Sequence, residues 1–173
     1  MKPGTVVAES EVAVNEPRVV TTTDLETRLT DQDHLSVRAW LRLLSCTVKI
    51  ETEIRSRLRG QFDITLPRFD LMAQLERHPK GLPMGELSRR MMVTSGNITG
   101  IADQLVKENC VLRVVDKNDR RSCSLKLTPK GLASFKKMAA VHEKWVDELL
   151  QGLNVEEKQL LIHLLSKVKE SVI

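Results

Sequence analysis

Apolar residues recur every three or four positions through most of the chain after residue 30, which is the spacing of helices that bury one face. The pattern predicts four long helices, at about 31–60, 67–78, 129–150 and 154–172. The last one opens with Asn154 and Glu157, at the spacing of a capping box. The two C-terminal helices have more apolar surface than one compact lobe would bury, so we expect part of that surface to form a subunit interface.

A shorter helical pair is predicted between these regions, from Met84 to Met92 and from Ser95 to Asn109, with a turn at residues 93–94. One face of the second helix is an apolar stripe: Ile98, Ile101, Ala102 and Leu105. The opposite face is small and polar and consists of Ser95, Gly96, Asn97, Thr99, Gly100 and Asp103.

A small polar face of this kind can approach a DNA groove closely. We expect Asn97 and Thr99 to read base edges, and Ser95 to bind a phosphate or cap the helix. Two glycines in a helix cost about 1 kcal/mol each against alanine, which close approach to DNA would offset. The alternative is that this helix simply needs small residues for packing within the protein.

A β-hairpin is predicted after the helical pair, because turn-forming residues at 116–119 separate two stretches with strand character. In the second stretch Cys123, Leu125 and Leu127 alternate with polar residues. One face of the ribbon is therefore apolar, and it must pack on the helical body, because isolated hairpins are marginally stable.

The tip of this hairpin carries a set of charged residues that we expect to act at DNA: Lys117, Asp119, Arg120 and Arg121. A guanidinium on a rigid mount suits a narrow minor groove, so we assign Arg121 as the groove reader and Asp119 as its brace. Lys117 and Arg120 would neutralise phosphates. The alternative is an ordinary charged turn in solvent.

Helix, turn, helix and basic hairpin in this order predict a winged helix-turn-helix. The predicted fold class is mainly α with a small β-wing. We divide the chain into a flexible N-terminal arm (1–30), a winged helix-turn-helix DNA-binding lobe (66–129) and a helical dimerisation region (31–65 with 130–173).

Composition and charge favour a DNA-binding protein over an enzyme. The formal net charge is +4, and much of the positive excess lies between Lys107 and Lys130. The four histidines are scattered and no P-loop, G-x-S-x-G or dinucleotide motif occurs, so we expect no catalytic residues, no metal and no cofactor. The absence of a long apolar run and of a secretory pattern favours the cytoplasm. A helical protein-interaction module without DNA binding is the alternative from another class.

Four motifs occur along the chain in a fixed order: L-P-R-F-D at 66–70, G-E-L-S-R-R at 85–90, S-G-N-I-T at 95–99, and D-x-R-x-x-x-L-x-L-T-P-K-G at 119–131. With them, the stretch from about His34 to the C-terminus resembles the MarR family of transcriptional regulators. Asn109 and Cys110 stand where that family usually has glycine and leucine. Asparagine tolerates the left-handed conformation, so we expect the turn after the recognition helix to be kept.

The resemblance implies an obligate homodimer, in which the first and last helices intertwine and two winged lobes read the halves of a pseudo-palindromic operator. It also implies a repressor that a small molecule releases from double-stranded DNA. The family's effector cleft lies between the dimer helices and the DNA-binding lobe. The residues of this chain that would line it are Trp40, Phe62, Arg68, Phe69 and Met72.

Three cations, Arg38, Arg42 and Lys49, lie on one face of the first predicted helix and could bind a phosphate-bearing ligand. The surrounding R-A-W-L-R-L-L-S-C-T is similar to a subgroup of the family that responds to aromatic (hydroxycinnamoyl-type) acyl-CoA thioesters and acts in aromatic catabolism. The candidate effector is therefore a small aromatic acid or its CoA thioester. The alternative is that these cations form the solvated face of the helix.

Some members of this family sense peroxide through a helical cysteine that tyrosines support. Cys46 has the corresponding position, but the chain contains no tyrosine. We therefore expect Cys46 to pack as a small apolar residue, and a cysteine-based redox-sensing repressor is the alternative.

Overall fold

The computed structural model describes residues 34–115 and 123–172. These residues form six helices and a three-stranded sheet, in the order α1 (Leu35–Phe62), α2 (Leu66–Glu76), β1 (Leu82–Pro83), α3 (Met84–Arg90), α4 (Ser95–Lys107), β2 (Val111–Val115), β3 (Cys123–Leu127), α5 (Pro129–Leu149) and α6 (Val155–Ser171). The predicted fold class, mainly α with a small β-wing, is confirmed. The predicted N-terminal arm, residues 1–30, lies outside the described residues.

The chain divides into two compact units, residues 1–46 and 47–173, and the boundary falls inside α1. The described part of the first unit is residues 34–46. Its large apolar side chains Val37 and Trp40 are exposed. Cys46 is also exposed, so the expectation that it packs as a small apolar residue is wrong for a single chain.

The sheet of the second unit is antiparallel with strand order β1-β3-β2. The predicted hairpin is confirmed as β2 and β3, which pair from Val111↔Leu127 to Val115↔Cys123. The edge strand β1 was not predicted, because it is two residues long and ends in proline. It pairs with β3 at Leu82↔Leu125, and Gly81 makes the approach possible: its φ is +95°, and a Cβ there would lie 2.8 Å from the Leu125 carbonyl oxygen.

One apolar core of the second unit joins α2, α4 and α5 to the inner face of the sheet. Its fully buried side chains include Leu58, Leu71, Leu87, Leu105 and Leu125. Aromatic contacts extend this core, with ring centroids 5.4 Å apart for Phe69–Phe135 and 6.0 Å apart for Phe62–Trp145. Helix α4 and the β2–β3 hairpin are thereby packed on the same core.

The segment after α4 and the start of α5 make a close contact, which we call the α4–α5 joint (residues 108–110 and 128–131). Asn109 has a φ of 58°, which confirms the predicted left-handed turn. The Thr128 hydroxyl donates to the Asn109 carbonyl oxygen at 2.8 Å and accepts from the Gly131 backbone N–H at 2.9 Å. Gly131 packs so tightly that a Cβ there would lie 1.9 Å from the Cys110 carbonyl oxygen.

The last helix, α6, has no buried residue. The predicted capping box is confirmed: the Glu157 backbone N–H donates to Asn154 Oδ1 at 2.9 Å, and the Asn154 backbone N–H donates to Glu157 Oε2 at 2.8 Å. Its exposed apolar side chains are Val155, Leu160, Leu161, Ile162, Leu164, Leu165 and Val168. The N-terminus of α6 is therefore capped, but the apolar side chains of this helix remain exposed to solvent in a single chain.

Asp70 is a half-buried carboxyl group on α2. Desolvation, followed by repulsion from Glu51, raises its pKa to about 6, and the nearby Arg55 partly offsets this rise. The folded state therefore holds this proton more tightly than the unfolded chain. Ionised Asp70 destabilises the protein at neutral pH, and this destabilisation is lost as the pH falls from above 6 towards the ordinary value of 3.8.

The first prediction concerns Gly131. Gly131→Ala should lower the free energy of unfolding by more than about 2 kcal/mol, because the new methyl group overlaps a backbone oxygen that cannot move away alone. Urea denaturation measures this change. Gly152→Ala is the matched control, since a Cβ there meets no atom within 4 Å. If both substitutions changed the free energy of unfolding equally, the close contact between Gly131 and the Cys110 carbonyl would be contradicted.

The second prediction concerns Asp70. Asp70→Asn should raise the free energy of unfolding at pH 7 by about 1–2 kcal/mol, after allowance for solvent screening of this half-buried group. The gain over the wild type should shrink towards zero near pH 4. Urea denaturation at several pH values measures it, with the exposed Asp147→Asn as control. If the difference in unfolding free energy between Asp70→Asn and the wild type did not depend on pH, the raised pKa of Asp70 would be refuted.

Candidate nucleic-acid interface and a neighbouring cavity

The turn between α3 and α4 sets the start of the candidate recognition helix. Thr94, rather than Ser95, caps α4, because its side chain accepts the Asn97 backbone N–H at 3.4 Å. The Ser88 hydroxyl fixes the turn by donating to the Val93 carbonyl oxygen at 2.6 Å. Met92 has a φ of 53° and is 94% exposed, so a long apolar side chain in a strained conformation lies next to α4.

The two faces of α4 are divided as the sequence predicts. Ile98, Ala102 and Leu105 are buried. The residues of α4 that are predicted to contact DNA are all exposed: Ser95, Gly96, Asn97, Thr99, Gly100 and Asp103. A Cβ at Gly96 or Gly100 would meet no atom within 4 Å, so packing against the described residues does not require these glycines. The small polar face is therefore open to a partner outside the chain.

An ion pair links this face to the wing. Arg113 on β2 donates to Asp103 Oδ1 at 2.6 Å, and both side chains are partly exposed. The positive charge of Arg113 offsets the negative charge of Asp103, which alone would repel DNA phosphates. Sequence reasoning did not select Arg113, because the contact spans ten residues and depends on how β2 packs against α4.

The tip of the wing lies outside the described residues. It contains Lys117, Asp119, Arg120 and Arg121, whose DNA roles remain predictions. The described strands end at the Val115↔Cys123 pair on either side of it. The tip is therefore carried by an antiparallel ribbon that is anchored to the core through Leu125.

A cavity of about 240 Å³ lies between α2, α4 and α5 in the second unit. Three of the predicted ligand residues line it: Phe62, Arg68 and Met72. Phe69 does not; it packs in the core, with ring centroids 5.4 Å from Phe135 and 4.9 Å from His142. Burial lowers the pKa of His142.

Arg68 gives this cavity a buried positive charge. Its side chain is 10% exposed, and its Nη2 donates to Glu108 Oε2. Its Nε is buried without a hydrogen-bond partner in the structure. An unsatisfied buried donor costs about 1–3 kcal/mol, so the site favours an acceptor that could reach this atom.

The other predicted ligand residues lie on α1. Arg38, Trp40 and Arg42 belong to the first unit and Lys49 to the second, and all four are exposed. Within the part of the chain that the structure describes, no group of histidine, cysteine, aspartate or glutamate could hold a metal ion. Nor is any described helix long and apolar enough to cross a membrane.

Comparisons with known proteins agree with this geometry. Residues 64–123 match the model of the MarR family. The crystal structure of a MarR family transcriptional regulator from Silicibacter pomeroyi is 30% identical, with a TM-score of 0.70 over 84% of this chain and all of that chain. A MarR mutant from E. coli, complexed with operator DNA, is 26% identical, with a TM-score of 0.68 over 79% of this chain and 99% of that one. The repressor MdtR from Bacillus subtilis is 27% identical over 139 residues, which cover 80% of this chain and 88% of MdtR.

The third prediction concerns the open face of α4. Gly100→Ala should raise the free energy of unfolding by up to about 1 kcal/mol, because alanine favours helix and meets no neighbour. The same change should weaken binding to a DNA duplex by about 1–3 kcal/mol, because the methyl group obstructs close approach. Urea denaturation and electrophoretic mobility shift measure the two effects. Gly60→Ala on α1 is the control and should leave DNA affinity unchanged; unchanged affinity in Gly100→Ala would contradict the interface.

Proposed function

The chain belongs to the MarR family of DNA-binding transcriptional regulators, and we propose that it acts in the cytoplasm as a homodimeric repressor released by a small molecule. The observation that carries the proposal is the open α4 face, where a Cβ at Gly96 or Gly100 would meet no atom within 4 Å. Such a face suits entry into a major groove, which is about as wide as a helix. The operator-bound E. coli MarR structure supports this use of the fold.

Homodimer formation is supported by the apolar residues of α6. A monomer would leave all of them in water, whereas a two-fold interface would bury them. Two recognition helices related by such symmetry reach successive major grooves when they lie about 34–36 Å apart. The operator should accordingly be a pseudo-palindrome.

Repression is supported by the similarity to MdtR, which is named a repressor. A dimer across two half-sites would cover promoter DNA and block access to it. In this proposal Asn97 and Thr99 read base edges, Ser95 binds phosphate, and Gly96 and Gly100 permit close approach. Asp103, with Arg113, orients the wing relative to α4.

We propose a small aromatic acid as the first candidate effector and its CoA thioester as the second. The acid is supported by the buried guanidinium of Arg68, which lines a mostly polar cavity next to the apolar side chains of Phe62 and Met72. A cavity of 240 Å³ is smaller than the roughly 300–1,000 Å³ that drug-sized ligands need, so it favours a single ring. The exposed cations Arg38, Arg42 and Lys49 are the residues that would bind the phosphates of a thioester.

The fourth prediction tests the DNA-binding role of the wing. Arg121→Ala should weaken operator binding by about 1–3 kcal/mol, because a cation that contacts the DNA groove is lost. It should also reduce the magnitude of the slope of log affinity against log salt concentration by about 1. Electrophoretic mobility shift at several salt concentrations measures both quantities. Sedimentation should show the same dimer as in the wild type.

Lys144→Ala, an exposed cation on α5, is the matched control and should change neither quantity. Unchanged operator affinity in Arg121→Ala would refute the wing assignment. Wild-type protein whose DNA binding did not fall with rising salt would instead favour a protein-interaction module.

A further inference from the structure

We infer that Met92, in the turn between α3 and α4, is a specificity-determining residue that contacts the C5-methyl group of a thymine in the major groove. The inference rests on the proposed function, because it requires α4 to enter that groove. It adds an apolar contact beside the polar contacts proposed for Asn97 and Thr99.

The turn holds Met92 in a conformation that methionine rarely adopts. The Val93 backbone N–H donates to the Ser88 carbonyl oxygen at 3.1 Å, and the Met92 backbone N–H donates to the Arg89 carbonyl oxygen at 3.2 Å. These two bonds form a Schellman motif, in which the residue after the C-cap is left-handed and is usually glycine. Met92 occupies that place with a φ of 53°. The backbone by itself therefore favours glycine over methionine here.

The side chain of Met92 does not offset this strain within the chain. Its neighbours Met91 and Val93 pack against the apolar core. Met92 is 94% exposed, the highest value among the large apolar side chains of the described residues. Strained residues persist where the surrounding contacts determine the turn, and they concentrate at functional sites. The contact that compensates for the strain therefore lies with a partner outside the single chain.

The position of Met92 makes DNA that partner. Met92 lies two residues before Thr94, the N-cap of α4, and residues 94–97 are all exposed. In a helix-turn-helix, the N-terminal residues of the second helix contact base edges. The turn that leads into α4 is thus next to the groove, and Met92 continues the open α4 face.

The chemistry of the side chain selects thymine. An apolar side chain gains free energy by covering apolar surface. Phosphates are charged and the base edges are otherwise polar, so the thymine C5-methyl is the apolar group that base pairs present in the major groove. The unbranched thioether of methionine can adapt its path to reach that group. Covering one methyl group should change affinity by about three- to fivefold.

The experiment uses full-length protein and a duplex that the wild type selects from random-sequence DNA. Each thymine of this duplex is replaced in turn by uracil, which lacks only the C5-methyl group. In mobility shift, the wild type should bind at least one uracil duplex about three- to fivefold more weakly. Met92→Asn should bind that duplex and its thymine parent equally, because asparagine keeps the left-handed turn but is polar. Met92→Leu should keep the affinity of the wild type within about twofold, and its preference for thymine.

Stability separates a DNA contact from a structural role. Met92→Gly should raise the urea midpoint of unfolding, because glycine relieves the strain, and should weaken binding to the selected duplex by at least about threefold. Asp63→Gly is the matched control. Asp63 is exposed, follows α1 and has a φ of 49°, so this change also relieves strain but should keep the preference for thymine over uracil.

Four results would count against these claims. If Met92→Asn kept the loss of affinity on every uracil duplex, the thymine contact would be overturned. A lower urea midpoint in Met92→Gly would show that the side chain stabilises the fold, which overturns the inference. Loss of the dimer in Met92→Asn, measured by sedimentation, would assign Met92 to a subunit interface instead. Failure of the wild type to select any duplex would overturn the proposed function itself.

Discussion

The close contact at the α4–α5 joint is the constraint on which the arrangement of this lobe depends. Because Gly131 has no side chain, the first turn of α5 lies against the Cys110 carbonyl, and the Thr128 hydroxyl can then bond the backbone on both sides. These contacts fix where the recognition helix ends and where the wing begins. They also bring α5 next to α2, and the cavity with Arg68 lies between these elements.

Two of the surfaces that the described residues leave open, on α4 and on α6, differ in chemistry. The face of α4 is small and polar, and its glycines leave space above the backbone. The surface of α6 is rich in leucine and valine. Water solvates the first surface readily but not the second, so the first suits a polar groove and the second suits an apolar partner. The proposal of a DNA-binding homodimer follows from this difference.

Arg68 is unusual because it is a buried cation that is only partly satisfied. Removing a guanidinium from water costs free energy that a single carboxylate recovers incompletely, and an open donor increases that cost. Within a core of leucine, methionine and phenylalanine, such a group is more informative than any apolar neighbour. It lies between the cavity and Glu108 at the end of α4.

The sequence by itself determined the elements whose signals are local. Helical spacing predicted every long helix, Asn154 and Glu157 predicted a capping box, and Asn109 predicted a left-handed turn, because each depends on residues within a few positions of one another. The open polar face of α4 was predictable for the same reason. Tertiary structure alone decided the contacts that join distant segments: β1 beside β3, Arg113 on Asp103, Phe69 in the core and Arg68 on Glu108. These contacts depend on how helices and strands pack in three dimensions, and periodicity along one chain says which face is buried but not what it meets.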